Sequence, residues 1–147
     1  MKKRYTYKLR PGAEAEALLK RHAGSCRWVW NMCVERFNNR EDTSQTTLMK
    51  HLTLLRHSEE WLGEQPVVPQ QQTIRDFITA KKAFFNKTRK RPKFKKKRTT
   101  LPSMNYTKRG FSLTKDGRLC LAGGISIPVV WSRKLPVEPK SVRVYRD

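Results

Sequence analysis

Nine of the twelve residues from Lys87 to Arg98 are lysine or arginine, and within them the octapeptide RPKFKKKR, Arg91 to Arg98, adds a proline and a phenylalanine. Cations at that density neutralise phosphates, and an aromatic among them can stack on a base. A purely electrostatic tail needs neither Pro92 nor Phe94. The run is therefore either a solvated basic segment or one wall of a shaped nucleic-acid site. Elsewhere Tyr5, Tyr7, Phe94, Tyr106, Phe111, Trp131 and Tyr145 are interleaved with Arg4, Lys8, Lys93, Lys95, Lys108, Arg109, Arg133, Lys134 and Arg143. Core filling competes with base stacking for any one of these aromatics, but as a set on a basic surface they favour nucleic acid.

A second constellation is Gln70-Gln71-Gln72-Thr73 with Arg75 one turn on. Glutamine can bond adenine bidentately and threonine can touch a thymine methyl, so such a helix end could read an A/T-containing duplex in its major groove. The alternative is an uncommitted neutral helix start. Residues for hydrolysis are harder to find. The acidic residues lie mainly at Glu14, Glu16, Glu35, Glu41, Asp42, Glu59, Glu60 and Glu64, on helix flanks or links, where surface charge accounts for them better than a metal site does. Gly123-Gly124 precedes strand-like sequence, so it is no phosphate loop. Cys26, Cys33 and Cys120 include no CxxC pair, and His22, His51 and His57 show no ligand spacing with them; buried thiols and core or surface histidines are expected, with no disulfide framework or zinc site.

Composition agrees with a binder. With 33 Lys and Arg against 12 Asp and Glu in 147 residues, the net charge is +21, which makes nucleic acid the default partner. The longest apolar run, Ile125 to Trp131, contains Ser126 and Pro128 and is too short to span a bilayer, and no apolar signal region follows Met1-Lys-Lys-Arg4. The expectation is a cytoplasmic protein, nucleoid-associated when bound to DNA, with no membrane partner.

Several elements must position these residues. Residues 3 to 9 alternate Tyr5, Tyr7 and Leu9 with Arg4, Thr6 and Lys8, a strand pattern that Pro11-Gly12 ends. From Ala13 to about Asn39 apolar residues recur at three- and four-residue steps, predicting one amphipathic helix or two meeting near Gly24. A second helix is predicted over Thr46 to Arg56 and a third over Gln70 to about Asn86, with Trp61-Leu62-Gly63 and Pro66 to Pro69 as the connection between them. Strands follow at Ser103–Thr107, Phe111–Thr114, Arg118–Leu121, Ile125–Trp131 and Ser141–Tyr145, with turns at Asp116-Gly117 and Gly123-Gly124. One amino-terminal strand is unstable alone, so it is expected to join the carboxy-terminal strands in a small barrel or curled sheet, the helices forming an insertion.

The ordered motifs Gly24-Ser-Cys-Arg-Trp-Val-Trp-Asn31, Arg91 to Arg98, the Phe111-to-Leu121 hairpin, Trp131-Ser-Arg-Lys-Leu-Pro136 and Lys140 to Asp147 together resemble the front part of TnpB, also called OrfB. That family is encoded by bacterial insertion sequences and is related to type V CRISPR effectors. The resemblance covers essentially the whole chain, although no single motif would suffice. It implies an α+β fold: a small oligonucleotide-binding-like β-barrel, the wedge, built from residues 1–11 and 91–147, with a helical recognition domain inserted over residues 12–90. The older description of the helical part is a helix-turn-helix DNA-binding domain of a transposase.

The resemblance further implies two partners, a guide-bearing structured RNA and a short transposon-adjacent motif in duplex DNA. It places a base-reading glutamine near Gln71 and a wedge threonine near Thr107, with Arg75 beside them and with Gln45 and Met49 facing the same groove. Arg4, Tyr7, Lys8, Arg27, Asn31, Lys93, Phe94, Lys95, Lys96, Lys97, Arg98, Tyr106, Lys108 and Arg109 are the corresponding candidates for RNA or backbone contacts. Full-length relatives continue into a RuvC-like nuclease and a zinc ribbon. Neither is read in this chain, so no residue is assigned to catalysis or metal binding, Asp147 included, and any divalent metal cofactor would belong to the nuclease. A fragment, a split protein with its nuclease half in trans, and a nuclease-free relative all remain open.

Two other readings stand beside RNA-guided targeting: a protein-only DNA-binding domain of a transposase or nuclease-free repressor, and a generic RNA-binding structural protein. If RPKFKKKR is a shaped link with Phe94 as its anchor, Phe94→Ala should impair specific RNA binding and leave salt-sensitive nonspecific binding largely intact. Filter binding of a specific and a random RNA to both proteins separates the two effects, and equal loss of both, or of neither, counts against the shaped link.

Overall fold

The computed structural model describes residues 3–97 and 103–146. Arg98 and Asp147, both considered above, lie outside the described residues. The order of elements is β1 (Lys8–Leu9), α1 (Ala13–Asn38), α2 (Gln45–Ser58), α3 (Glu60–Gly63), α4 (Val67–Phe85), β2 (Ser103–Thr107), β3 (Phe111–Leu113), β4 (Arg118–Leu121), β5 (Ile125–Val130) and β6 (Ser141–Tyr145), with a turn of 3-10 helix at Lys108–Gly110 between β2 and β3. The architecture is α+β, as expected.

The first helix runs through Gly24 without interruption. Glu14 and Glu16 sit in its first turn, where carboxylates favour the helix dipole. Its end is closed by Arg40 in the left-handed region, φ 59°, with Arg40 N–H donating to Phe37 O and Glu41 N–H to Arg36 O. That is a Schellman closure with arginine where glycine is usual. The fourth helix ends the same way on Lys87, φ 61°, whose N–H donates to Phe84 O while Thr88 N–H donates to Ala83 O. Between these helices, α2 begins at Ser44, whose hydroxyl accepts from Thr47 N–H, and Asp42 accepts from both residues. These hydrogen bonds hold the Asp42 carboxyl below its ordinary pKa, the backbone bond from Ser44 foremost.

The region expected to be a loose connection is more ordered than its sequence suggests. Glu60–Gly63 forms a short helix, and α4 starts at Val67, three residues before the expected Gln70. Pro69 falls in the first turn of α4, where an amide N–H would have no helical acceptor, so proline there costs little. Arg56 organises this corner. Its guanidinium donates to the carbonyls of Leu62, Gln65 and Gly63 at 2.8 to 3.1 Å and to Gln70 Oε1 at 2.7 Å. Gln70 is fully buried, and its amide donates to Ser25 Oγ at 3.1 Å and to Leu62 O at 3.3 Å. The carbonyls at the end of α3 and just beyond it, and all four helices, are thereby joined through two side chains. Gln70 is consequently a structural residue, a correction to its place in a base-reading helix end.

The strands form a four-stranded antiparallel sheet, β1-β5-β4-β3, and a separate antiparallel pair, β2-β6. Both expected turns are present, Gly117 at φ 85° and Gly123 and Gly124 at φ 90° and 79°. Two expectations are corrected. The amino-terminal stretch joins the carboxy-terminal strands as expected, but the strand read over residues 3 to 9 is paired only at Lys8–Leu9, with Val129–Val130 of β5. Among the described residues the strands do not close into a barrel. β2 pairs with β6 over five residues, and the 3-10 turn at Lys108–Gly110 then interrupts the chain before β3, so no ladder links the two sheets. They still share one core, in which Met104 and Tyr106 of β2 meet Leu119, Leu121, Ile125 and Ile127 of β4 and β5 beneath Ala23 and Cys26 of α1.

A second core lies among the helices, around Val29, Trp30, Cys33 and Val34 of α1, Leu48 and Leu52 of α2, Leu62 of α3, and Ile74 and Phe77 of α4. The buried-thiol expectation holds for Cys26 and Cys33, whose pKa values burial pushes up to about 11 and about 12. Replacing Gln70 by alanine leaves the Arg56 guanidinium and Ser25 short of a partner inside the helical corner, and should cost about 1–3 kcal/mol. Gln71→Ala, one residue on and half-exposed, should change stability by less than about 0.5 kcal/mol. Urea denaturation of the two variants side by side checks both values.

Candidate nucleic-acid interface

Chain leaving α4 must travel from the end of α1 to β2, and it does so along the flank of α1. Arg91 stacks its guanidinium over Phe37 at 4.2 Å and donates to Asn38 Oδ1 at 3.3 Å. Pro92 is buried. Further up the helix, Trp30 Nε1–H donates to Lys93 O at 2.8 Å, and Asn31 makes two bonds to Lys95, accepting from its N–H at 2.8 Å and donating to its carbonyl at 3.0 Å. The Lys95 ammonium then lies 4.1 Å from the centre of the Trp30 ring, and burial lowers its pKa. RPKFKKK is thus a strap with a fixed path. Pro92 and Lys95 face the helix, while Lys93, Phe94, Lys96 and Lys97 face outward.

One sequence expectation changes in this light. Phe94 is 51% exposed and does not anchor the strap; Pro92, Trp30 and Asn31 do. Phe94 is instead a presented aromatic, free to stack. Asn31, read as a binding residue, also has a structural use that its sequence does not announce: its amide bonds the Lys95 backbone and fixes the path of the strap. Trp30 was legible as a core residue but not as a hydrogen-bond donor to a loop more than sixty positions away.

The other candidates divide by surface. Arg4, Lys8, Lys108 and Arg109 are exposed and Arg27 is half-exposed. Tyr7 lies 5.0 Å from Trp131, with the Arg133 guanidinium 5.1 Å from its ring centre, and its hydroxyl is buried without a partner. Trp131 in turn donates from Nε1 to Gly117 O at 2.9 Å, locking the β3–β4 hairpin to the strand end. Tyr106 is a correction: it is fully buried in the sheet core, its hydroxyl directed to Met104 Sδ, and burial raises its pKa. It cannot stack on a base without unfolding that core.

On the opposite flank α4 packs against β2. Asp76 accepts from Gln72 at 3.3 Å and from Asn105 of β2 at 3.2 Å. Gln71 and exposed Arg75, one turn apart on α4, therefore sit beside the strand whose alternation sets Thr107 on the same side as Asn105. All three belong to the two elements, α4 and β2, that meet at this junction. Gln45 and Met49 are elsewhere: Lys81 donates to Thr43 O at 2.7 Å, which pins the start of α2 near the end of α4. Gln45 is thus separated from Gln71 by about 15 Å along α4. Met49 is half-buried against the helical core. Asp76 and Asn105, which hold the junction together, had no sequence signal beyond their polarity.

Among the described residues, no group of three or more His, Cys, Asp or Glu side chains could hold a metal ion, and no helix is long and apolar enough to cross a membrane. What the surface offers is outward cations on a rigid frame with aromatics between them, the chemistry of a polyanion-binding module. A family model described as a helix-turn-helix domain, of the OrfB type, matches residues 1–40, which comprise β1 and α1 up to the turn before α2. The chain is 32% identical over its whole length to a putative RNA-guided DNA endonuclease of Streptomyces pristinaespiralis, and 32% identical over 63% of its length to the putative RNA-guided DNA endonuclease InsQ of Escherichia coli K12. It spans 39% of the first relative and 25% of the second. These matches are consistent with the amino-terminal part of the OrfB/TnpB proteins.

Asn31→Ala removes both side-chain bonds to the strap without touching its charge. Trypsin should then cut within residues 93–97 several times faster than in the parent, while the circular dichroism of the helices is unchanged. Equal cleavage rates would show that Asn31 does not hold the strap.

Proposed function

We propose that this chain is the nucleic-acid-binding module of an RNA-guided DNA-targeting protein. The observation that carries the reading is the strap: a basic segment fixed to α1 by Trp30 and Asn31, so that Lys93, Phe94, Lys96 and Lys97 point outward together. A structured guide-bearing RNA would lie along the strap and onto the sheet side, where Arg4, Lys8, Lys108 and Arg109 supply further cations. Phosphates meet lysine and arginine there, and Phe94 offers a stacking face. The junction of Gln71, Arg75 and Thr107 would read a short motif in duplex DNA. No residue of this chain has a catalytic role in this reading, and cleavage, where it occurs, needs residues outside it, in cis or in trans.

The similarity to two proteins named as RNA-guided DNA endonucleases supports RNA and DNA as partners over a protein-only reading. The test is to express the chain with its native flanking DNA, purify it through high salt and sequence the RNA that stays bound. One structured species with a defined boundary and a variable end is the expected result; a heterogeneous mixture overturns guide binding. Affinity for that RNA should fall on the order of 1000-fold between 50 and 200 mM salt, since each neutralised phosphate releases close to one counterion. A flat salt titration would remove the electrostatic basis of the proposal.

A further inference from the structure

Beside the point where Asn31 holds the strap, Arg21, Gly24, Arg27, Trp28 and Asn31 of α1 line one side of a groove of about 510 Å³, and Trp61 of α3 with Glu64 and Gln65 lines the other. Its size is that of a site for a small planar ligand. Two features separate it from ordinary surface relief. The first is the pair Trp28–Trp61, edge to face with ring centres 5.6 Å apart and planes at 89°, in which Trp61 remains 43% exposed. The Trp28 contact covers only part of that indole, and the rest is apolar surface a ligand could remove from water. The second is Gly24. Glycine inside a helix is unfavourable relative to alanine, and here neither backbone nor packing requires it. Its φ is not positive, and an added Cβ would meet only Arg27 Nη2, at 3.7 Å, an ordinary contact. A glycine the fold does not need keeps the floor of the groove at backbone level.

We infer that this groove is a stacking subsite for one unpaired nucleotide of a bound RNA. The inference rests on the nucleic-acid-binding reading above and adds a contact to it that the strap does not make. A base would lie on the open Trp61 indole over Gly24, with its phosphates toward Arg21 and Arg27, neither of which forms an ion pair among the described residues. Gln65 and Glu64 stand at the rim, the first able to donate and accept, the second to accept only. An acceptor carboxylate repels a phosphate and attracts an exocyclic amino group, so the groove favours a base edge over a backbone tract, and adenine, cytosine or guanine over uracil. A duplex, whose bases are already stacked, has nothing to place there.

The test titrates the chain with short single-stranded oligoadenylate, oligocytidylate and oligouridylate and with a duplex RNA, following tryptophan fluorescence at fixed moderate salt. Adenylate and cytidylate should quench, uridylate less, and the duplex least. Trp61→Ala should abolish most of the quench and weaken adenylate binding about tenfold. Gly24→Leu should weaken it similarly, while Gly24→Ala should raise the thermal midpoint and still lower affinity, an outcome a folding defect would not produce. The salt slope should stay that of the parent in all three variants, since stacking releases no counterions, whereas Lys96→Ala with Lys97→Ala should reduce the slope and leave the quench. Parent-like binding by both Trp61→Ala and Gly24→Leu overturns the subsite even if RNA binding persists. Absence of RNA binding by the parent at every salt overturns the module reading itself.

Discussion

Twenty-six residues of unbroken helix make α1 about 39 Å long, more than either of the two cores can cover. Its amino-terminal half closes the sheet core through Leu18, Leu19, Ala23 and Cys26, and its carboxy-terminal half fills the helical core through Val29, Trp30, Cys33 and Val34. Everything else is arranged by that sharing. Because α4 ends beside the end of α1 and β2 begins toward its middle, the chain between them must run back along the helix, and the strap is the consequence. Its path is set by groups that α1 presents between its two buried stripes, an indole N–H and an asparagine amide. A helix that served only one core would have had no reason to carry either.

The same helix ties the two halves through polar groups. Arg56, Gln70 and Ser25 form a chain from the last turn of α2, through the first turn of α4, to the middle of α1. A guanidinium with four acceptors and an amide with three partners form a satisfied network, which in a low-dielectric corner is rigid and intolerant of loss. This network holds α3 and the loop before α4 in place. It thereby sets where Val68 meets Gly110, and with it where α4 lies against β2. The proposed DNA-reading junction and the groove at Trp61 both depend on that corner, one on each side.

Periodicity made most elements legible, since helices and strands with one buried face must repeat at 3.6 or 2.0 residues. What it missed has physical causes. The run Pro66 to Pro69 looks like a linker because proline is a breaker, yet at a helix start its missing N–H is harmless. Gln70, Gln71 and Gln72 are identical in sequence, and only the approach of Arg56 from another helix makes the first structural and leaves the others outside. Tyr106 and Tyr7 are both tyrosines in strand-like sequence among cations; one lies inside the core that the two sheets share and the other just before the edge strand β1. Phe94 reads as an anchor because it is the large apolar residue in a basic run, but the strap turns every third residue, Pro92 and then Lys95, toward α1, and Phe94 falls outside. Barrel closure depends on ladders between distant segments, which no local pattern encodes.

A net charge of +21 is itself a constraint on this fold. Among the described residues only two ion pairs form, Lys20 with Glu16 and Arg36 with Glu41, both at partly exposed positions and of small value. The excess is not compensated internally. Several features even concentrate it: basic residues occupy the left-handed closures of α1 and α4, where glycine would be less strained, and Lys95 is held against an indole at a cost in hydration. Such an arrangement repels itself when empty. Any polyanion that binds the folded chain therefore stabilises it by mass action. Among polyanions, the fixed strap and the open indole favour one that carries flat bases as well as phosphates, because uniform charge would satisfy the lysines and leave Phe94 and Trp61 in water.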